Sequence, residues 1–138
     1  MNKLRKILLI DDVDVTSYIN KLYLENMDIA EEIDYVHDGV EGLQYLHKHC
    51  LQGTGPDLIF LDNKMPRMDG FEFLEALPDL EAALQRSFSI AMLTTSVNMK
   101  DVSRAVSFGD RIIAYITKPL QADGVKQVLA GMRAMDTF

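Results

Sequence analysis

The sequence predicts an α/β domain in which five parallel strands form one sheet with helices packed on both of its faces. Short apolar runs rich in Ile, Val, Leu and Tyr occur five times along the chain, and a helical pattern of apolar residues follows each run. Such an alternation implies parallel strands joined by right-handed crossovers, in a doubly wound arrangement. The chain has 138 residues and is 48% hydrophobic, which suits one globular domain over residues 1–138.

The predicted strands are short and almost entirely apolar. They cover residues 6–10, 33–37, 58–61, 89–93 and 112–116. Continuous apolar runs of this kind are typical of strands whose two faces are both covered by helices. We therefore expect most of these strands to be buried.

Three of the helices are indicated by apolar side chains that recur on one helical face. These side chains are Val15, Tyr18, Ile19, Leu22 and Tyr23 in the first helix, Val102, Ala105 and Val106 in the fourth, and Val125, Val128, Leu129 and Met132 in the fifth. The second and third helices are predicted over residues 40–49 and 71–77. We expect Pro78 to end the third helix, because its ring cannot continue the backbone hydrogen bonds.

Charge and cysteine content argue against several classes of protein. The formal net charge is −7, and an acidic surface is repelled by nucleic acids and by anionic membranes. Cys50 is the only cysteine, which precludes an internal disulfide and fits a reducing compartment. The N-terminal apolar run over 7–10 is too short for a signal peptide, and no stretch approaches the ~18 apolar residues of a membrane span. We expect a soluble cytoplasmic protein.

Polar side chains follow four of the predicted strands, at the point where each strand ends. Asp11 and Asp12 follow the first strand, Asp62 the third, the hydroxyl residues Thr94, Thr95 and Ser96 the fourth, and Lys118 the fifth. The carboxyl ends of parallel strands meet at one edge of a sheet, where ligands of this fold class bind. These carboxylates, hydroxyls and the ammonium group should therefore converge.

This combination of groups favours phosphoryl transfer. Three neighbouring carboxylates repel one another unless a pKa rises or a cation binds, and oxygen ligands suit Mg²⁺. A lysine and a hydroxyl beside the metal would neutralise and orient phosphoryl oxygens. A carboxylate in their midst can act as the nucleophile and form an aspartyl phosphate.

Four motifs, each directly after or across the end of a predicted strand, give the chain a family resemblance. They are "LLIDD" (8–12), "PDLIFLDNKMPRMDGFEFL" (56–74), "MLTTS" (92–96) and "YITKP" (115–119). Together they resemble the receiver domain of two-component response regulators, the CheY-like family, over nearly the whole chain. The resemblance implies a flavodoxin-like (βα)5 fold with strand order 2-1-3-4-5.

The resemblance also implies a role for each acid of the predicted site. Asp62 is expected to be the phosphoacceptor. Asp12 and Asp62 would bind Mg²⁺ directly, together with the backbone carbonyl of Lys64, and Asp11 would hold the metal through water.

The resemblance implies further roles for Thr94, which follows the fourth strand, and for Tyr115 and Lys118, which lie within and after the fifth. Lys118 would pair with the phosphoryl group, Thr94 would donate a hydrogen bond to it, and Tyr115 would be the aromatic switch residue that turns inward when Thr94 moves. The peptide bond between Lys118 and Pro119 is expected to be cis. The donor would be a histidine kinase or a phosphotransfer protein, and the output a protein–protein contact of a stand-alone receiver rather than enzymatic turnover.

Each of these residues also has an ordinary structural explanation when taken alone. Asp11 and Asp12 could cap the first helix, and Asp62 could open a turn. Lys118 could be a surface lysine, and Tyr115 could be an aromatic packed on the sheet. These explanations leave open why all the groups share one edge.

Two other functions compete with the receiver. The chain could be a pseudo-receiver scaffold that is never phosphorylated, although none of the expected acids and no lysine is missing. Asp12, Asp14 and Thr16 also form a D-x-D-x-T pattern, which resembles the nucleophile motif of haloacid-dehalogenase-type phosphatases. That interpretation leaves the segment around Asp62 unexplained, and it makes Asp14 essential.

The sequence departs from the family pattern at three places. Lys64 places a cation two residues after Asp62, and we expect it to slow loss of the phosphoryl group. Thr95 occupies a position where the family usually has Ala or Gly. The segment between Gly109 and Tyr115 is about two residues longer than is usual in the family, a change that costs little energy but alters the surface beside the switch residue.

Overall fold

The protein is described by a computed structural model covering residues 3–95 and 98–136, with side chains described as far as Met132. Its elements are β1 (Leu4–Ile10), α1 (Asp14–Met27), β2 (Ala30–Val36), α2 (Gly39–Leu51), β3 (Leu58–Asp62), α3 (Gly70–Leu84), β4 (Ser89–Thr94), α4 (Met99–Ser107), β5 (Ile112–Thr117) and α5 (Ala122–Asp136). A short 3-10 helix, Gly109–Arg111, precedes β5. Ser96, one of the predicted hydroxyl residues, lies outside the described residues.

The five strands form one parallel sheet in the order β2-β1-β3-β4-β5, which confirms the predicted fold. The register pairs Ile10 with Leu61, Asp62 with Leu93, and Thr94 with Thr117. The carboxyl ends of the central strands are therefore nearly level, which brings the residues that follow them together.

Apolar cores lie on both faces of the sheet because residues 7–10 of β1, 58–61 of β3 and 90–93 of β4 are apolar at every position. Along β1, Ile7 and Leu9 pack with residues of α1 and α5, whereas Leu8 and Ile10 pack with residues of α2, α3 and α4. All four side chains are at most 2% exposed. The prediction of strands buried on both faces is confirmed for β1, β3 and β4.

The apolar stripe that indicates α1 in the sequence is not its buried face. Val15, Tyr18, Ile19 and Leu22 are 68%, 56%, 57% and 42% exposed, whereas Ser17, Asn20 and Leu24 are buried. The hydroxyl of Ser17 points to the Asp11 carbonyl at 3.5 Å. A small polar side chain thus lets the start of α1 lie close to the sheet edge. Helical periodicity locates a stripe but does not determine which side faces the sheet.

Two expectations about helices need correction. Helix α3 does not end at Pro78 but continues to Leu84. Pro78 removes one backbone donor, but Leu77 and Glu81 are buried on either side of it, and Glu81 accepts a hydrogen bond from the Phe88 backbone. Those contacts hold the second half of the helix in place. In α4 the stripe is only partly buried, since Val106 is 72% exposed.

The length and apolar character of the described helices bear on whether any of them could cross a membrane. None of them within residues 3–95 and 98–136 combines the length and the apolar character that crossing a membrane requires.

Candidate functional site

Three acidic side chains meet at the carboxyl edge of the sheet, as the sequence predicts. One carboxylate oxygen from each of Asp11, Asp12 and Asp62 lies within 4.8 Å of the others. Asp11 and Asp62 are buried, at 3% and 6% exposure, whereas Asp12 is exposed. The site therefore has two carboxylates held inside the protein and one that faces solvent.

The ends of adjacent strands fix these positions. Asp62 is the last residue of β3, and Asp11 directly follows β1, its neighbour in the sheet. The Asp11 backbone donates to the Val36 carbonyl at 3.1 Å, and its side chain accepts from the Val13 backbone at 3.0 Å. Helix α1 begins after Val13 without a side-chain cap, so neither Asp11 nor Asp12 serves as its N-cap.

Lys118 joins two of the acids. Its ammonium nitrogen lies 2.8 Å from Asp11 Oδ2 and 3.2 Å from Asp62 Oδ1. The Lys118 backbone donates to the Thr94 carbonyl at 2.7 Å, and the peptide bond to Pro119 is cis, as expected. Burial lowers the pKa of Lys118, but the hydrogen bond to Asp11 and the charges of Asp62 and Asp11 outweigh it and raise the pKa overall. Lys118 is therefore a cation at neutral pH.

Asp62 lies in a site where negatively charged side chains outnumber positively charged ones. Burial is the largest cause and the charge of Asp11 the next, and together they raise the pKa of Asp62 to about 6 although Lys118 opposes the shift. One ammonium cannot balance three carboxylates. An additional cation would relieve the repulsion, and the all-oxygen donor set fits Mg²⁺.

The other predicted residues lie on or just after β3, β4 and β5. Thr94 ends β4 beside Asp62 and is 2% exposed, and Tyr115 lies on β5 with its hydroxyl buried. Burial raises the pKa of Tyr115, an effect that Thr94 opposes and Asp101 reinforces. Lys64 and Thr95 have exposed side chains.

A charged network that the apolar sequence patterns do not indicate lies after β2. His37 Nε2 contacts Asp14 Oδ1 at 2.5 Å and Nδ1 contacts Glu41 Oε1 at 3.1 Å. Arg67, from the loop after β3, pairs with Asp38 at 2.7 Å. The signal was available, because "HD" (37–38) lies at the end of the second predicted strand, at the same sheet edge. This network ties the loop after β3 to the starts of α1 and α2.

The His37 contacts predict a pH-dependent stability. Hydrogen bonds to Glu41 and Asp14 raise the pKa of His37 above its ordinary 6.5, so its stabilisation is complete below pH 6.5 and is lost as the pH rises through the folded-state pKa. We expect His37→Gln to destabilise the protein at about pH 5.5, by about 0.5 kcal/mol because the pair is half-exposed, and hardly at all at about pH 8.5.

Urea unfolding at the two pH values measures this difference. His47→Gln is the matched control, because His47 is exposed on α2. A destabilisation that is equal at both pH values, or shared by the control, would contradict the assignment to His37.

Comparisons with known proteins agree with this geometry. The family model of the response regulator receiver domain matches residues 7–130. The chain is 29% identical over 126 residues to the "Probable methanogenesis regulatory protein FilR2" of Methanothrix harundinacea, covering 89% of this chain and 77% of that protein. It is 28% identical to the "Probable C4-dicarboxylate response regulator DctR" of Priestia megaterium, covering 93% of this chain but only 51% of that protein.

Solved structures share the fold over nearly the whole chain. A two-component response regulator from Cytophaga hutchinsonii superposes with a TM-score of 0.86 at 24% identity, covering 96% of this chain and 99% of that one. The bacteriophytochrome response regulator AtBRR superposes with a TM-score of 0.75 at 28% identity, covering 99% and 96%. Because the receiver-domain model matches residues 7–130, most of its length, this chain belongs to the response regulator receiver domain family.

Proposed function

We propose that this receiver domain accepts a phosphoryl group on Asp62 from the phosphohistidine of a histidine kinase or a phosphotransfer protein in the cytoplasm. The observation that carries the proposal is the contact of Lys118 with Asp62 at 3.2 Å inside the acidic cluster. A buried carboxylate beside a fixed cation is held in place as a nucleophile, and the lysine can then neutralise the oxygens of the incoming group.

In this reaction a carboxylate oxygen of Asp62 forms a bond to phosphorus while the bond from phosphorus to the donor nitrogen breaks. The bonding electrons return to the imidazole, which regains a proton from solvent. Lys118 contacts the phosphoryl oxygens, and the Thr94 hydroxyl, next to Asp62 on the adjacent strand, donates a hydrogen bond to one of them. Positioning and charge neutralisation supply most of the catalysis in such a transfer.

The acids would also hold the metal. Asp12 and Asp62 would bind Mg²⁺ directly with the Lys64 backbone carbonyl, and Asp11 would bind through water. When bound, the ion supplies positive charge against the phosphoryl oxygens. Asp12 is exposed, so this ligand would be accessible to an ion from solvent.

The exposed face of α1 supports a protein donor. Val15, Tyr18, Ile19 and Leu22 form an apolar stripe, and Ile19 also lines an open cavity of about 390 Å³ that reaches Lys118. Exposed apolar surface beside a site favours contact with a partner. We expect Ile19→Asp to lower the rate of transfer from a phosphohistidine protein at least ~10-fold relative to the rate with acetyl phosphate.

The matched control is Leu51→Asp, because Leu51 is 69% exposed on α2 and lies away from the site. Both rates are measured by intact mass, with a kinase that phosphorylates the wild-type chain. An equal loss with both donors, or the same loss in the control, would show that the α1 stripe is not the docking face.

One experiment tests the proposed function as a whole. The chain is incubated with acetyl phosphate, with and without Mg²⁺, and its intact mass is measured alongside that of Asp14→Asn. We expect a single phosphoryl adduct that requires Mg²⁺ and is unaffected by Asp14→Asn, because Asp14 contacts His37 and lies outside the acidic cluster. Absence of any adduct would favour a scaffold, and an adduct that depends on Asp14 would favour a phosphatase.

A further inference from the structure

The residue after Asp62 contacts α4 directly. Asn63 is only 4% exposed, and its side-chain amide donates to Asp101 Oδ2 at 3.1 Å. Its backbone is fixed on both sides, since its N–H donates to the Leu93 carbonyl at 3.2 Å and its carbonyl accepts from Gly70 at 3.0 Å. A movement of the loop after β3 therefore reaches Asp101 through one hydrogen bond.

Asp101 lies in the first turn of α4 and makes several contacts. Besides the Asn63 amide, its Oδ2 accepts from the Asn98 side chain at 3.0 Å, and its own backbone donates to Asn98 Oδ1 at 2.9 Å. Its charge also acts on Tyr115 on the neighbouring strand. Asp101 thus connects the loop after Asp62, the cap of α4 and the predicted switch residue.

Few apolar contacts hold α4 in place. All of its residues are described, and Ala105 is the one that is buried, while Met99 and Val106 are 77% and 72% exposed. Arg104 pairs with Glu75 on the surface at 2.8 Å, a contact of little energetic weight. A half-buried hydrogen bond to a charged group is worth more, so the contact between Asn63 and Asp101 helps to hold the start of α4 beside the loop after β3.

We propose that Asp101 is a positioning residue for phosphorylation, which holds Asn63 and the loop after Asp62 in the unphosphorylated arrangement and releases α4 when Asp62 is phosphorylated. The proposal rests on the proposed function. A phosphoryl group adds negative charge beside Asn63, which repels the Asp101 carboxylate. Because coupling is reciprocal in equilibrium binding, loss of the Asp101 contact must favour the phosphorylated arrangement.

Beryllofluoride with Mg²⁺, a reversible mimic of the phosphoryl group, allows an equilibrium test by ¹⁹F NMR titration. We expect Asp101→Ala and Asn63→Ala each to tighten beryllofluoride binding about fivefold, at the low end of typical couplings between sites. The double variant should bind no more tightly than Asp101→Ala, since that variant already removes the bond that Asn63→Ala removes. Asp110→Ala, the same change at an exposed position just beyond α4, should bind as the wild type does.

Hydrogen exchange of the α4 amides is the second readout. It should rise in the wild type on saturation with beryllofluoride and be high already in Asp101→Ala. Any of three results would overturn the role of Asp101: unchanged affinity in both single variants, additive effects in the double variant, or an equal effect of Asp110→Ala. Each of these results would leave the proposed function intact. A wild-type chain that neither binds beryllofluoride nor takes a phosphoryl group would overturn both.

Discussion

Asp62→Asn is expected to abolish phosphorylation by acetyl phosphate and Mg²⁺, because an amide has no anionic oxygen to attack phosphorus. The geometry of the site should survive, since asparagine has nearly the shape of aspartate. The same variant should unfold at a higher temperature than the wild type at pH 7 without Mg²⁺. The raised pKa of Asp62, about 6, means that its ionised form opposes folding; this cost is full above pH 6, shrinks as the pH falls below 6 and is gone below the ordinary pKa of 3.8.

Intact mass and a thermal melt measure the two effects. Asp57→Asn is the matched control, because Asp57 directly precedes β3 at the opposite end from Asp62 and pairs there with Arg5 and Arg86. It should keep full phosphorylation and show no stabilisation. An adduct of undiminished amount in Asp62→Asn would mean that another group is the nucleophile.

Mg²⁺ is expected to stabilise the wild-type fold, and Asp12→Asn is expected to remove most of that effect. Binding to the folded state alone contributes about 2.7 kcal/mol at a hundred times the dissociation constant, which corresponds to roughly 8 °C for a chain of this size. Asp12 is the exposed member of the cluster, so its replacement removes a ligand without breaking a buried contact.

Melting curves with Mg²⁺ and with a chelator measure this stabilisation. Asp14→Asn changes the same charge two residues away, outside the cluster, and should respond to Mg²⁺ as the wild type does. If Asp12→Asn were stabilised as strongly as the wild type, the acids would not be the metal site.

The sequence was sufficient to predict a parallel sheet and the meeting of Asp11, Asp62 and Lys118 at its edge, because both depend on where apolar runs end. The strand order followed from the family resemblance. Continuous apolar strands are typical of a parallel sheet that is covered on both faces, and in such a sheet the residues after each strand share an edge. Asp11, Asp62 and Lys118 are far apart in the chain, yet this rule alone predicts that they converge, and their contacts at 2.8 and 3.2 Å bear it out.

Features that depend on side-chain packing could not be predicted in this way. The stripe on α1 has the same periodicity whether it faces the sheet or solvent, and the buried Ser17 and Asn20 give no apolar signal. Pro78 stays within α3 because tertiary contacts compensate for the missing donor. The bond from Asn63 to Asp101 spans 38 positions and involves two residue types that are common in turns and caps.

The most direct test of the account is to locate the phosphoryl group after reaction with acetyl phosphate and Mg²⁺. Borohydride reduction converts the labile aspartyl phosphate into a stable homoserine, which digestion and mass spectrometry then assign to a position. We predict modification at Asp62 and at no other acid of the cluster. Modification at Asp11 or Asp12, or none at all, would contradict the claim that Lys118 and the clustered acids make Asp62 the phosphoacceptor.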